Sequence, residues 1–564
     1  MTFICSHTYH HIVVVFVYFM AYYVAMAAHP MHLEIQTHRG KPCGVIRSTF
    51  RADGKIKHTS HGRISGAPLN TLKLIQAAFR GDVMLKEDAG ALCLLGSREY
   101  GASRALLAFA EEIGLFRAIY SRREPWVRDC LAMIVGRIIY AGSKLSLSHQ
   151  WKNTALWELS GVLGAVDVRE HCYSAMDRLL ERQDAIQKRL AREHLKDGAL
   201  VLYDITSSYF EGAYADSQIV QFGYNRDGKR GHEQMVIGLL CSEEGCPVGV
   251  EVFAGNTQDA STVPDKIAEV QQRYGIKDLV FVGDRGMVTH SVEDKLKGVE
   301  GLSTISALTH RQIVSLLERK VIELDFFDEN NIAEVIDPED LTRRYCLCRN
   351  PQSAKREGDT RNALLSRTRE ELDRVAQAKR PGDAEKIGAR VGRLLAKTKM
   401  GKFVIWNVKD GRLEWHFDED KIAAEKRFDG CYIICANVPT ERMAKQALVA
   451  SYKSLSLVEN AFRNLKTVQL EMRPVYHKTD DRIRAHVFLC VLAYYVQWHV
   501  NQRLAPLFAE DGQHEARQWT FKAVVDRLSA IRIQRVKIAN TEFDQVTQPE
   551  DDQQRILDLL GVKL

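Results

Sequence analysis

Residues 200–205 read Leu-Val-Leu-Tyr-Asp-Ile, and residues 279–284 read Leu-Val-Phe-Val-Gly-Asp. Short apolar runs of this kind are typical of buried β-strands. Each run contains an aspartate at or near its end, and a carboxylate is costly to bury unless it is paired or binds a cation. Asp284 is followed by Arg285-Gly286, a tight turn that places it at the carboxyl end of its strand, where α/β sheets form their sites. Taken singly, either aspartate could be structural or functional.

The neighbouring segments add more strands and one helix. Hydrophobic patterns predict a strand hairpin at residues 235–241 and 247–253, a helix at 262–273 and a further strand at 302–308. From residue 199 the order of strand, strand, strand, helix, strand is typical of the start of a ribonuclease-H-like sheet. We therefore expect an α/β fold with a mixed sheet and flanking helices.

The segment before this core is basic and then helical. Residues 31–80 contain nine Lys or Arg against two acids, and Asp53-Gly54 separates two strand-like runs, which predicts a small basic hairpin. Apolar spacing predicts helices over residues 102–196, including one long amphipathic helix from about 174 to 195. This arrangement suits a DNA-docking domain, although a solvated face explains basic surface about as often.

The segment after residue 309 shows no regular core pattern for over a hundred residues. Residues 379–402 contain eight Lys or Arg against two acids. Strands are expected at residues 403–408, 413–417 and 432–437, the first two joined at Asp410-Gly411, and helices are expected from there to the C-terminus. We expect a β-rich insertion at 310–440.

Composition excludes several classes of protein. The chain is 45% hydrophobic and 27% charged, with a net charge of +6, which is ordinary for a folded protein and excludes disordered or collagen-like chains. The 12 cysteines are scattered and include no Cys-X-X-Cys pair, which indicates a reducing compartment. The closer pairs Cys241/Cys246 and Cys346/Cys348 are expected to be structural.

The first 30 residues differ from the rest. Residues 12–28 carry no charge, and this run of 17 residues is slightly shorter than the ~20 that a membrane-spanning helix needs. No Lys or Arg precedes the run, whereas a signal peptide would carry one. We expect a mis-assigned translation start, with Met26 or Met31 as the true one, and a single membrane anchor is the alternative.

A third acidic residue, Glu459, lies on a predicted helix. Tyr452, Glu459 and Lys466 are seven residues apart and share one helix edge, with Arg463 close to that edge. The adjoining apolar stripe is formed by Leu455, Val458, Phe462 and Leu465. Such a helix can pack on a core and present a metal-binding carboxylate between phosphate-binding cations. Without the two aspartates, a series of surface ion pairs would be the better interpretation.

Three blocks of this sequence resemble the DDE transposases of bacterial insertion sequences, in the branch with a Tyr-Arg-Glu-Lys signature. They are Tyr-Asp-Ile-Thr-Ser-Ser-Tyr-Phe-Glu at 203–211, Gly-Asp-Arg-Gly-Met at 283–287, and the run 452–466. The resemblance covers roughly Met31 to the C-terminus. It implies a ribonuclease-H-like core, a β-rich insertion before the last acidic helix, and cleavage and strand transfer of DNA with two divalent ions.

The resemblance assigns a catalytic and metal-binding triad. Asp204, Asp284 and Glu459 match the three acidic positions, and Tyr452 and Lys466 match the signature Tyr and Lys. All five positions are consistent with the strand ends and helix edge described above.

Further DNA contacts are implied less directly. The signature Arg, three residues after the Tyr, is replaced here by Leu455, and Arg463 is the expected substitute for its phosphate contact. The stretch 225–230 resembles the basic loop of these enzymes, which adds Arg226, Lys229 and Arg230.

The implied cofactor is a pair of Mg²⁺ ions, for which Mn²⁺ can substitute. Hard cations prefer carboxylate oxygens, and two ions about 3.5–4 Å apart serve both the attacking and the leaving oxygen of an in-line displacement at phosphorus. The chain has no GxxxxGK[ST] phosphate loop, so ATP is not implied. The implied partner is double-stranded DNA, both transposon ends and target, bound by a homodimer in the cytoplasm at the nucleoid, with no small-molecule substrate.

The insertion contains one candidate for base stacking. Trp406 and Trp415 lie on the two strands joined at Asp410-Gly411. We expect Trp415 to be exposed toward DNA, where stacking on a base is worth ~1–3 kcal/mol, and Trp406 to be buried. The alternative, which is the more common role of an isolated Trp, is that both pack inside a small β-subdomain.

Two other functions remain open, a metal-dependent nuclease of the same fold and a DNA-binding protein with a decayed site. The intact triad argues against decay, and basic segments on both sides of the core argue for extensive DNA contact. The expected domains are an apolar segment (1–30), a DNA-binding hairpin and helical domain (31–198), a first core part (199–309), an insertion (310–440), a last core part (441–500) and a C-terminal helical region (501–564).

Overall fold

The computed structural model describes residues 31–38, 41–52, 54–80, 92–226, 228–229, 231–328, 331–378, 380–510, 518–538 and 541–564. The expected start segment 1–30 and the candidate DNA contact Arg230 lie outside the described residues. The chain divides into two compact units. Of the described residues, the first comprises those from Met31 to Ser97 together with Gln534–Gln545, and the second comprises those of Arg98–Ile533 and Val546–Leu564.

The first unit contains two three-stranded sheets. Strands β1 (Met31–His38), β2 (Lys41–Ala52) and β3 (Lys55–Ser65) pair antiparallel, and Ala52 is opposite Lys55 across the turn at Gly54. Helix α1 (Leu69–Phe79) packs on β1 through Leu72 and Leu33. The second sheet has the order β16-β15-β4, with β4 at Leu92–Glu99, β15 at Arg532–Ile538 and β16 at Thr541–Val546. The C-terminal region was expected to be helical, so β15 and β16 correct that prediction.

Helices dominate the start of the second unit. They are α2 (Gly101–Glu112), α3 (Leu115–Ile119), α4 (Pro125–Ile139), α5 (Lys144–His149), α6 (Leu156–Leu159), α7 (Ala175–Glu181) and α8 (Gln183–His194). The single helix expected over 174–195 is wrong, because the chain breaks between α7 and α8 at Arg182. The Arg182 guanidinium lies 4.5 Å from the centroid of the Tyr120 ring and its Nε donates to the Ile119 carbonyl at 3.3 Å. Periodicity alone does not reveal these tertiary contacts at the break.

An eight-stranded mixed sheet forms the centre of the second unit, in the order β10-β11-β14-β9-β8-β5-β6-β7. The predicted order of strand, strand, strand, helix, strand is confirmed by β5 (Ala199–Tyr209), β6 (Gln234–Ser242), β7 (Pro247–Ala254), α9 (Asp259–Ala268) and β8 (Leu279–Gly283). Helix α10 (His290–Leu296) leads to β9 (Leu302–Ala307). Strand β5 is antiparallel to β6 and parallel to β8, which is parallel to β9.

Strand alternation divides the core between the two faces of the sheet. Leu200 and Leu202 of β5 join the large cluster shared with the helical segment, whereas Val201, Tyr203 and Ile205 join a second cluster with α9. Even-numbered positions of β5 therefore face the large cluster.

Residues 310–440 are less β-rich than expected. They form α11 (His310–Glu318), β10 (Ala333–Ile336), β11 (Arg344–Arg349), α12 (Pro351–Ala376), α13 (Ala384–Thr398), β12 (Val404–Lys409), β13 (Arg412–Phe417), α14 (Glu419–Lys426) and β14 (Cys431–Ala436). Three of the strands, β10, β11 and β14, extend the main sheet, and only β12 and β13 form a separate hairpin. The long helix α12 escaped the sequence analysis because its many charges obscure the sparse buried stripe of Thr368, Leu372 and Val375.

The remaining helices complete the second unit. They are α15 (Lys445–Lys453), α16 (Leu455–Arg463), α17 (Asp480–Arg503), α18 (Ala505–Ala509), α19 (Phe521–Ser529) and α20 (Asp551–Leu560), and a π-helical turn at Asn464–Val468 follows α16. Within the described ranges, no single helix has the length and apolar character to cross a membrane, and one strongly bent pair, Pro125–Ile139 with Lys144–Lys152, passes only when the two helices are joined.

Candidate active site

The register of two parallel strands brings Asp204 and Asp284 together. Tyr203 of β5 is opposite Gly283 of β8, so the next residue on each strand is an aspartate. Neighbouring strands are about 4.8 Å apart, which makes the two carboxylates neighbours at one edge of the sheet. Asp204 follows Leu202 by two residues and therefore shares its face of the sheet.

Helix α16 brings Glu459 to the same face. The helix packs against β5, and its predicted apolar stripe of Leu455, Val458, Phe462 and Leu465 is buried as expected. Glu459 remains exposed on the edge of the helix. Its negative charge acts on Asp204, so the three carboxylates form one electrostatic group.

The three acids repel one another strongly enough to change the protonation of Asp204. Burial, then the charge of Asp284, then that of Glu459 raise the pKa of Asp204 to about 7, although the Ile205 amide donates a 2.7 Å hydrogen bond to its Oδ1. A carboxylate with this pKa is about half protonated near neutrality. A bound cation would relieve the repulsion and keep Asp204 ionised.

Tyr452 and Lys466 flank the acids as the sequence predicts. The Tyr452 hydroxyl donates to Asp284 Oδ1 at 3.2 Å, and burial followed by the Asp284 charge raises the pKa of Tyr452. Lys466 Nζ donates to Thr206 Oγ1 at 2.6 Å. Thr206 lies two residues after Asp204 and on the same face of β5, so Lys466 contacts the strand that carries Asp204.

The position of the expected signature Arg is apolar and buried. Leu455 is 6% exposed in the core beneath α16, so it cannot contact a phosphate. Arg463 is exposed at the end of α16, and among the described residues it is not in contact with the three acids. Its role as the substitute for the signature Arg stays a prediction.

The predicted basic loop lies next to strand β5. The backbone amide of Arg226 donates to Ser207 Oγ at 3.0 Å, its guanidinium pairs with Asp259, and its charge lowers the pKa of Asp204 against the stronger raising effects. Lys229 Nζ lies 5.7 Å from the centroid of the Tyr209 ring at the end of β5.

One basic residue at the end of β5 was not predicted from the sequence. The Arg473 guanidinium lies 4.6 Å from the centroid of the same Tyr209 ring. Its position seven residues after Lys466 continues the spacing of Tyr452, Glu459 and Lys466. The seven-residue spacing could have indicated Arg473, but the chain is no longer helical at that position, so a shared helix face does not predict this residue.

The expected exposure of the two tryptophans is reversed. Trp406 and Trp415 are direct partners across the β12–β13 hairpin and share one face. Trp415 is half-buried with its ring centroid 5.2 Å from that of Phe417, whereas Trp406 is 38% exposed. The prediction failed because Glu414 and His416, which flank Trp415, point to the opposite face of the strand and do not report its burial.

The basic run of the insertion forms an ordered stripe on α13. Lys386, Arg390, Arg393 and Lys397 follow one another at spacings of four, three and four residues, so they share one face of the helix. All four are exposed, whereas Val391 and Leu395 are buried on the opposite side. This basic stripe is an extended cationic surface of the kind that neutralises phosphates.

The donor set fits a pair of divalent cations. Three carboxylates supply only oxygen ligands, which Mg²⁺ and Mn²⁺ prefer, and no histidine or cysteine is among them. The charges of Asp284 and Glu459 add to the effect of burial in raising the pKa of Asp204, and a cation at this position would oppose both effects. Asp204, Asp284 and Glu459 are therefore the residues that would hold the ions.

Two comparisons with known proteins bear on this site. The family model described as "Transposase DDE domain" matches residues 202–496. The matched segment starts two residues before Asp204 and includes Asp284, Glu459 and the whole insertion. The comparison with curated proteins gives no match.

Proposed function

Because this chain belongs to the transposase DDE-domain family, we propose that it binds the terminal inverted repeats of an insertion sequence and catalyses cleavage and strand transfer at their ends. The observation that carries the proposal is the placement of Asp204, Asp284 and Glu459 by adjacent strands and by the helix packed on them, where the charges of Asp284 and Glu459 both act on Asp204. The β7-β6-β5-β8-β9 part of the sheet supports a ribonuclease-H-like core. Tyr452, Glu459 and Lys466 support the Tyr-Arg-Glu-Lys branch, from which Leu455 departs.

The proposed chemistry is an in-line displacement at a DNA phosphorus. Bound Mg²⁺ ions supply activation of the attacking oxygen and charge neutralisation at the leaving oxygen. The protein's own residues hold and orient the reacting groups. Asp204 and Asp284 are fixed by the strand register, and Tyr452 orients Asp284 through its hydroxyl.

Lys466 has a different proposed role. Its ammonium group is held at the acidic cluster by Thr206, where it can contact a non-bridging phosphate oxygen of the scissile strand. Arg226 and Lys229, which lie by β5, and Arg463 are the further proposed phosphate contacts.

The basic stripe of α13 is the proposed binding surface for the DNA that flanks the cleavage point. Phosphate contacts position DNA and contribute most of the salt-dependent affinity. The exposed basic residues of β2 and β3 are a second proposed contact surface. We place the reaction in the cytoplasm at the nucleoid, with a homodimer holding two ends.

The test is an assay of the full-length protein with duplexes that carry the ends of its own element, a supercoiled target plasmid, and Mg²⁺ or Mn²⁺. We expect nicking at the element end that leaves a 3′-hydroxyl, followed by covalent joining of that end to the plasmid. Cleavage without any joining would favour the nuclease alternative. Specific binding without cleavage in either metal would favour the non-catalytic DNA-binding alternative.

A further inference from the structure

A cluster of soft ligands lies apart from the acidic site. His194 at the end of α8, Cys246 in the turn between β6 and β7, and His499 near the end of α17 each offer a ligand atom, and these atoms all lie within 4.8 Å of one another. Cys246 is fully buried, and both histidines are partly buried. The three residues are distant in sequence, so no Cys-X-X-Cys or similar spacing could have revealed them.

One of these histidines has an unsatisfied nitrogen. His499 Nε2 is buried and has no hydrogen-bond partner. A buried polar atom without a partner is destabilising, and native proteins seldom leave one without an ion, a water or a function to explain it. The nitrogen belongs to one of the three residues that could share an ion.

The second histidine is held by a hydrogen bond and packs against the first. His194 Nε2 lies 3.0 Å from the Tyr495 hydroxyl, and its ring is 5.3 Å from that of His499, centroid to centroid. A hydrogen bond at one ring nitrogen fixes the ring and leaves the other nitrogen available to a metal.

The charge around the cluster suits a divalent ion. Glu244 precedes Cys246 by two residues, and its negative charge acts on both Cys246 and His194. A Cys246 thiolate and the Glu244 carboxylate together balance a doubly charged cation.

We propose that His194, Cys246 and His499 bind one Zn²⁺ ion, with a water as the fourth ligand. Zinc accepts mixed nitrogen and sulfur donors in tetrahedral geometry, with Zn–S about 2.3 Å and Zn–N about 2.0–2.1 Å. Its ligand atoms would then be about 3.3–3.6 Å apart, so small side-chain rotations from the observed spacing complete the site. Hard Mg²⁺ is a poor candidate because the donors are sulfur and imidazole.

The ion would link three parts of the second unit. It would tie the last helix before the central sheet to the β6–β7 turn and to α17, the long helix that follows the catalytic helix α16. This role is structural and independent of the proposed DNA chemistry.

The test uses Co²⁺ as a spectroscopic substitute for Zn²⁺ in the full-length protein after chelator treatment. Co²⁺ bound by thiolate gives a near-ultraviolet charge-transfer band that carboxylate ligands do not give. We expect this band to saturate at one equivalent, to disappear on addition of Zn²⁺, and to survive in an Asp204→Asn/Glu459→Gln variant whose acidic site is disabled. Loss of the band in that variant, with its circular dichroism unchanged, would assign the bound ion to the acidic site and contradict the proposal.

Matched variants identify the ligands. The band should be lost in Cys246→Ala and in His499→Gln, and kept in Cys490→Ala, a buried cysteine on the same helix as His499, and in Cys93→Ser, an exposed cysteine. Absence of the band from the wild-type protein, or its persistence in either ligand variant, overturns the proposal. The wild-type spectrum tests the proposal without any variant, so the test remains valid even if a variant fails to fold.

Discussion

The acidic centre and the basic stripe differ in how the fold holds them. Asp204, Asp284 and Glu459 are placed by adjacent strands and by a helix that packs on them, so their mutual positions depend on the register of the sheet and on a buried core. The four cations of α13 are exposed along one helix face and are ordered only by helix geometry. We propose that the sheet holds the groups whose chemistry needs accurate positions, and that the exposed helix supplies long-range attraction to DNA. The two functions should separate under mutation.

The largest expected effect comes from the acidic centre. Asp204→Asn, Asp284→Asn and Glu459→Gln should each lower end cleavage by at least about 10²–10³-fold, the cost of removing one charge-stabilising group from an active site. DNA affinity should stay within a few-fold of the wild-type value, because removing a negative charge does not weaken the contacts between the protein and the DNA phosphates. Gel assays of cleavage and mobility shift measure both quantities on the same duplex. Asp265→Asn, an exposed carboxylate on α9, is the matched control and should cleave normally.

The opposite pattern is expected for the basic stripe. Replacing Lys386, Arg390, Arg393 and Lys397 with Gln should lower DNA affinity by about 10- to 100-fold at moderate salt and reduce the salt dependence of log K by up to about 0.9 for each lost contact. Cleavage at saturating protein should be nearly unchanged. Lys522→Gln with Lys563→Gln, two exposed cations elsewhere, should leave the salt slope unchanged. An equal slope in the quadruple variant would remove α13 from the DNA-binding surface.

Smaller effects are expected where a residue positions an acid or a phosphate. Lys466→Gln should reduce cleavage by about 10- to 100-fold through loss of a charged phosphate contact, and Tyr452→Phe by about 10-fold or less through loss of one hydrogen bond to Asp284. Single-turnover rates with bound DNA give these values without interference from affinity. A Tyr452→Phe rate lower than that of Asp284→Asn would contradict a purely orienting role.

The smallest effect concerns stability and pH in a metal-free buffer. The folded-state pKa of Asp204, about 7, lies above its ordinary value of 3.8, so the folded protein binds the proton more tightly and its contribution to stability falls as pH rises from 3.8 to about 7. Asp204→Asn mimics the neutral form. Its melting temperature should exceed that of the wild type by a few °C at pH 8, and the gap should shrink toward pH 5.5. Calorimetry in a buffer with chelator measures the two melting temperatures. A difference between them that does not change with pH would show that Asp204 does not titrate as described.

The same contrast explains what the sequence could predict. Asp204 and Asp284 were identifiable because each lies in or directly after a short apolar strand, and Glu459 because its helix has an unbroken apolar stripe. The family model agrees on the region that contains all three. Local patterns of period two and 3.6 were sufficient there, because each acid is placed by the element that carries it.

Features that depend on distant parts of the chain were not predictable in this way. Nothing in the local sequence of β10, β11 or β14 indicates that these strands join β9 in one sheet. The break at Arg182 depends on Tyr120, and the burial of Trp415 depends on Phe417 and on helices α12 and α13. The cluster of His194, Cys246 and His499 joins residues more than 300 positions apart and is visible only in three dimensions.

We propose above that Asp204, Asp284 and Glu459 act together as one site for two divalent cations. Electron paramagnetic resonance of Mn²⁺ titrated into the full-length protein with its end DNA measures this directly, with the His194/Cys246/His499 cluster first saturated with Zn²⁺. We expect two Mn²⁺ per chain in the wild type and fewer than two in each of Asp204→Asn, Asp284→Asn and Glu459→Gln, with Asp265→Asn unchanged. Equal Mn²⁺ binding by the wild type and the three variants would contradict the claim.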